Sequence, residues 1–227
     1  MTNSIQGLNA LDFLMEKCNA STSEFQKRLT LNEEKSSYLE TLITQYEKTK
    51  FSNKNSKGKA LENLTREMFK AFQVFEFSSN IHSSTNEIDF FVRLNTNGNV
   101  LKSAGYINID RNFLIECKNY NKKVNVTFVG KFATLLKAHN QDFGIMVSNK
   151  GLTGKGWSDA LGLTKKIYLK DGILIISLTI NDFRTMLERS LFEVIEAKKL
   201  EIVSDTNFDH FLQPHPAIKT TNWSDIF

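Results

Sequence analysis

FLIECKNY, residues 113–120, decides how this chain is read, together with the shorter stretch EIDFFV at residues 87–92. Both have the aliphatic and aromatic make-up of strands, yet each carries charge inside an apolar run: Asp89 in one, Glu116 and Lys118 in the other. Side chains alternate along a strand, so Glu116 and Lys118 project to one face while Phe113, Ile115 and Cys117 share the opposite one. A carboxylate and an ammonium on a mostly buried strand carry a desolvation cost unless something compensates them. A divalent cation compensates the carboxylate, and a phosphate or water compensates the lysine. Asp89 opens the preceding strand, and a hairpin return would set it beside Glu116. One or two carboxylates with a backbone carbonyl and waters make a magnesium site, which activates water and neutralises charge on a scissile phosphate. Lys118 would orient or deprotonate that water, or stabilise the developing charge. The plainer reading is a surface ion pair on an edge strand, where lysine discourages aggregation.

Outward from these strands the pattern alternates. GKALENLTREMFKAF (residues 58–72) is helical, with Leu61, Leu64, Met68, Phe69 and Phe72 on one side and Glu62 beside that stripe. NTNG (residues 95–98) has the residues of a hairpin turn. YINIDRNFLIECK (residues 106–118) reads as one long strand, or two broken near Asp110–Asn112. TFVGKFATLLKAHNQ (residues 127–141) is helical, and FGIMVSN (residues 143–149) is apolar enough for a strand covered on both faces. A helix over residues 155–171, a buried strand GILIISL (172–178) and a helix starting at Asn181 or Asp182 complete the order α-β-β-α-β-α-β-α. That order predicts a mixed α/β sheet layered by helices.

Upstream, the helical spacing of Tyr38, Leu39, Leu42, Ile43 and Tyr46 predicts a helix that starts near Asn32. KFSNKNSKGK (residues 50–59) reads as a linker or exposed loop. The expected organisation is an N-terminal helical region and linker over 1–56, a main domain over 57–203 and an irregular tail over 204–227 that holds both prolines, Pro214 and Pro216.

Composition bounds the partners. No run of about 18 apolar residues is present, and the N-terminus lacks the basic and long apolar regions of a signal peptide, so no membrane association is expected. Cys18 and Cys117 form neither a zinc motif nor a disulfide framework, which suits a reducing cytoplasm. The formal charge of +4 is compatible with nucleic acid without demanding it.

GKALENLTREMF, EIDFFVR and LIECKNY, taken together, resemble the PD-(D/E)xK nuclease superfamily, and FGIMVSNKGLTGKGWSDALGL looks like its Mrr-like restriction endonuclease branch. The resemblance runs from about Lys57 to Lys199. It implies a restriction-endonuclease-like fold with an N-terminal helical extension, and a Mg²⁺-dependent DNA endonuclease in which Mn²⁺ substitutes. It implies Asp89, Glu116 and the backbone carbonyl of Cys117 as metal ligands and Lys118 as the catalytic lysine, with Glu62 supporting a water or a second metal. A role in restriction or phage defence follows by analogy. Ile88 stands where a literal PD motif has proline, and Asp110 is a rival acid too close to Glu116 to face it across a hairpin.

Lys122, Lys123, Lys131, Lys150 and Lys155 are weaker candidates for phosphate contacts. NKGLTGKGW (residues 149–157) has the wrong spacing for a phosphate loop and reads as a flexible loop. His82, His139, His210 and His215 show no ligand spacing, with His82 near enough to the Asp89 strand to watch, and Trp157 is expected to anchor a helix. The competing reading is a catalytically silent nucleic-acid-binding subunit of a defence or repair complex. A homodimer or a partner subunit would use the N-terminal helices.

Overall fold

The computed structural model describes residues 29–48, 54–82, 87–154 and 159–204. Helices α1 (Glu33–Lys48) and α2 (Lys54–Lys70) precede strands β1 (Phe75–His82) and β2 (Glu87–Leu94). Helix α3 (Thr96–Ser103) leads to β3 (Asn112–Lys118), α4 (Val126–Ala138), β4 (Phe143–Ser148), α5 (Ala160–Asp171) and β5 (Leu174–Leu178). Helices α6 (Ile180–Glu188) and α7 (Leu191–Val203) follow.

The five strands lie in sequence order in one mixed sheet. β1, β2 and β3 are antiparallel neighbours, while β3, β4 and β5 are parallel. A parallel neighbour requires a crossover, and α4 and α5 supply the two crossovers. Both pack on one face, over Leu114, Met146 and Ile175. Helices α1, α2, α6 and α7 cover the other face, over Phe90, Val92, Phe113, Ile115, Ile145 and Ile176. β4 is buried along its whole length, as a strand covered on both faces must be. On that strand Gly144 lies under α4, where a Cβ would meet Phe132 Cε1 at 2.7 Å.

Local chemistry sets the helix ends. Asn32 caps α1 by accepting the Lys35 N–H at 3.0 Å, and Asn125 caps α4 by accepting from Thr127. Thr179 and Asp182 form a capping box at α6, and Gly172 closes α5 with φ of 70°.

Several expectations change. Residues 50–59 are not all linker, because α2 already begins at Lys54. β1 was not anticipated; its centre, Ser78-Ser79-Asn80, is polar. NTNG is no hairpin turn: Asn95 accepts the Gly98 N–H and caps α3 instead. Of the two readings of residues 106–118, the break near Asp110–Asn112 is the one seen: β3 starts at Asn112, and residues 106–111 form no strand. The helix expected to start at Asn181 or Asp182 is two helices with a new cap at Ser190, and the first is capped by Thr179 instead. Among the described residues no helix is long and apolar enough to cross a membrane.

Candidate active site

The β2/β3 ladder ends with the pair Phe90↔Ile115. One step further the register would set Asp89 opposite Glu116. The backbone pairing gives way there to a side chain, and Asp89 Oδ2 accepts the Cys117 N–H at 2.7 Å. Strand alternation also breaks at this point, since Ile88 packs with the α4/α5 layer and Phe90 with the opposite one. Asp89 is thereby held at the mouth of the sheet, fixed by a charge-assisted bond to β3.

Glu116 and Lys118 project from β3 on the α4 side, and the Lys118 ammonium contacts Glu116 Oε1. Lys118 Nζ also lies 5.9 Å from the centre of the Phe128 ring of α4. The other carboxylate oxygen, Glu116 Oε2, is buried and has no hydrogen-bond partner among the described residues. Burial and the negative charge of Asp89 push the Glu116 carboxyl up to about 7, although Lys118 pulls the other way. Burial alone would lower the Lys118 value, but the Glu116 carboxylate outweighs it and the net shift is upward.

Glu62 reaches this cluster from α2, and its charge adds to the upward pressure on Glu116. The helix is keyed in place one turn away, where the Cys117 thiol donates to the buried Thr65 hydroxyl at 3.6 Å. Burial, followed by the charge of Asp89, raises the Cys117 thiol well above its ordinary value. Sequence reasoning missed two further residues. Tyr46 of α1 donates to Asn119 Oδ1 at 3.2 Å, and Asn119 Nδ2 donates to the Lys57 carbonyl at 2.5 Å. The residue after Lys118 is thus tied to both N-terminal helices. Tyr46 has the spacing of a core residue, and nothing in its neighbourhood in sequence signals a bond to Asn119.

The rival acid Asp110 lies elsewhere, 3.7 Å from the buried Lys199. Lys122, Lys123, Lys131 and Lys150 are exposed. The loops after β3 and β4 run side by side through Val124 N–H to Gly151 O at 2.9 Å and Thr153 N–H to Val124 O at 2.8 Å. That pairing brings Lys122, Lys123 and Lys150 to the same end of the sheet as Lys118. Lys155, Trp157, His210 and His215 lie outside the described residues, as does the side chain of His82. His139 caps the C-terminus of α4.

Asp89, Glu116 and the charge of Glu62 outnumber the one cation beside them, Lys118, and Glu116 keeps a buried oxygen without a partner among the described residues. Among the described residues no three His, Cys, Asp or Glu side chains are grouped so as to hold a metal ion by themselves. A hard cation that keeps several waters and takes only one or two carboxylates fits such a set.

A family model for restriction endonucleases, Mrr_cat, matches residues 54–179. This chain belongs to the Mrr-type restriction endonuclease family. The match spans α2 through β5 and includes Glu62, Asp89, Glu116 and Lys118. Helices α1, α6 and α7 flank the Mrr-type segment and complete its core. A solved structure, the DNA modification-dependent restriction endonuclease AspBHI, aligns over 82% of this chain at 14% identity with a TM-score of 0.39. The alignment spans 43% of that protein's length. No curated protein matches the chain.

Proposed function

We propose that this protein is a Mg²⁺-dependent DNA endonuclease, with Mn²⁺ as a substitute, which hydrolyses phosphodiester bonds in restriction or phage defence. The observation that carries the reading is Glu116: a buried carboxylate with one oxygen on Lys118, the other without a partner among the described residues, and Asp89 alongside. Asp89, Glu116 and the Cys117 carbonyl would hold the cation, and Glu62 would orient a water at its edge. When bound, the ion supplies positive charge beside the scissile phosphate and acidifies water.

The remaining work falls to the chain. Lys118 is held protonated by Glu116, so it serves as a donor to a phosphate oxygen or to the attacking water rather than as the base. The Asp89 bond to the Cys117 N–H fixes β2 against β3, and the Tyr46–Asn119–Lys57 chain fixes the backbone that follows Lys118. Both reduce the motion that must be frozen in the transition state. Membership of the Mrr-type family supports DNA as the substrate. A cytoplasmic setting accords with the free thiol of Cys117.

The test is incubation of supercoiled plasmid, single-stranded DNA and RNA of matched length with Mg²⁺, Mn²⁺ or EDTA. Metal-dependent conversion of plasmid to nicked or linear form, with RNA intact, is the expected result. DNA binding with no cutting under any metal would replace this reading with that of a silent binding subunit.

A further inference from the structure

A groove of about 570 Å³ lies between α2 and the β1/β2 edge of the sheet, lined by Arg66, Lys70, Phe75, Glu76, Phe77 and Arg93. Resting on the nuclease reading above, we infer that it binds the sugar-phosphate backbone of the DNA strand that leads away from the cleavage site. None of these residues belongs to the charged cluster itself.

The placement follows from helix geometry. Glu62, Arg66 and Lys70 are four residues apart on α2 and form one ridge along its flank, with a rise of roughly 6 Å per step. That step is comparable with the separation of neighbouring phosphates along a strand. The ridge begins at the candidate site with Glu62 and continues as two cations. The Arg66 guanidinium is seated over the ring of Phe90, 5.2 Å from its centre, and Phe90 follows Asp89 directly. A strand that left Asp89 and Glu116 along this flank would meet Arg66 first, then Lys70.

A third cation, Arg93, also lines the groove. Arg93 and Glu76 face each other across the β1/β2 ladder, with Nη2 and Oε2 3.5 Å apart and both side chains more than half exposed. An exposed pair of this kind is worth little, so a phosphate can displace Glu76 from Arg93 at low cost. Lys70, itself about half exposed, contacts Glu67 at 3.8 Å. Arg66, Lys70 and Arg93 against Glu76 and the adjoining Glu67 leave the groove net positive. The part-buried ring of Phe77, packed edge-on against Phe90 at 5.9 Å, offers an apolar floor for sugar rings. β1 is the edge strand of the sheet, so the groove opens to solvent along its length. Lys122, Lys123 and Lys150 lie at the end of β3 and β4, and with the groove they outline a basic path across the site.

The test is binding of a fluorescein-labelled duplex of about 20 base pairs in EDTA, followed by anisotropy at several KCl concentrations. The groove variant Arg66→Ala/Lys70→Ala/Arg93→Ala is compared with Lys137→Ala/Lys166→Ala/Lys170→Ala, an equal loss of charge on α4 and α5. A second groove variant with Gln at all three positions retains most of each side-chain stem and guards against loss of packing. The expected result is affinity reduced about 10- to 100-fold at low salt in both groove variants. Their salt slope should fall by roughly 2 to 3, with smaller changes in the control variant. Wild-type affinity and slope in folded groove variants, or a loss no greater than in the control, would overturn the proposal, as would a wild type that binds no DNA. Plasmid cutting separates this from the nuclease reading. Groove-dependent binding without any metal-dependent cutting removes the nuclease and leaves the groove, and unaffected binding with full cutting does the reverse.

Discussion

Asp89 Oδ2 accepts the backbone N–H of Cys117 at 2.7 Å, which joins the start of β2 to the strand that carries Glu116 and Lys118. The bond has two roles: it satisfies an N–H where the ladder ends, and it holds one carboxylate beside another. The second role is electrostatically unfavourable without a cation. Asn at position 89 retains an acceptor for the N–H and removes the charge. The wild type should therefore show a rise in Tm of several degrees with millimolar Mn²⁺ or Mg²⁺, and Asp89→Asn a much smaller one. Differential scanning fluorimetry across a metal titration checks this, and equal shifts in the two proteins would remove Asp89 from the metal site.

Glu116 predicts a pH dependence of stability in the metal-free protein. Its carboxyl is raised from 4.5 to about 7, so the folded state favours the protonated form. That contribution is complete below the unfolded value and disappears as pH rises through the folded value. Wild-type stability measured against Glu116→Gln should fall between about pH 4.5 and 7, by on the order of 1–3 kcal/mol. Urea unfolding in EDTA at a series of pH values measures the difference. A constant difference across that range would mean that Glu116 titrates as an ordinary carboxyl.

Helix α1 should behave as part of the core. Leu39 and Ile43 are fully buried, and Tyr46 is nearly so. Leu39→Ala and Ile43→Ala should each cost about 2–4 kcal/mol, and Tyr46→Phe about 1 kcal/mol from the lost bond to Asn119. Chemical denaturation provides the values. Costs below about 0.5 kcal/mol for all three would mark α1 as an appendage that the rest of the fold does not need.

Much of this architecture is legible in the sequence, for identifiable reasons. β3, β4 and β5 are apolar runs of strand length, and ExK on a buried strand conflicts visibly with its surroundings. β1 is obscured because an edge strand tolerates Ser78, Ser79 and Asn80, which give no alternating apolar signal. α3 is obscured because Asn-rich stretches serve caps and turns alike, and only the distant closure of Asn95 on Gln73 and Gly98 separates the two. The start of α2 has the Lys, Asn, Ser and Gly of a linker. The site divides in the same way. Asp89, Glu116 and Lys118 are conspicuous as charges among apolar neighbours, whereas Tyr46 and Asn119 meet across 73 residues of chain, a separation no local pattern encodes.

Gly144 tests the closeness of the α4 crossover. An added Cβ would lie 2.7 Å from Phe132 Cε1 and 2.8 Å from Leu136 Cδ1, so both side chains must shift. Gly144→Ala should cost about 1–3 kcal/mol, and Phe132→Leu should recover part of that loss in the double variant. Additive effects in the double-mutant cycle would show that the two residues do not share the space.

The most direct measurement is cleavage of supercoiled plasmid by wild type and by Lys118→Ala, each with Mg²⁺ and with EDTA, after circular dichroism has shown both to be folded. Lys118 makes its main contacts with Glu116 and the face of Phe128, so its loss leaves the sheet intact. Mg²⁺-dependent cutting by the wild type is expected, with a loss of at least about 100-fold in Lys118→Ala, within the range for one transition-state donor. Cutting of equal rate in the two proteins would contradict it and place the active centre elsewhere.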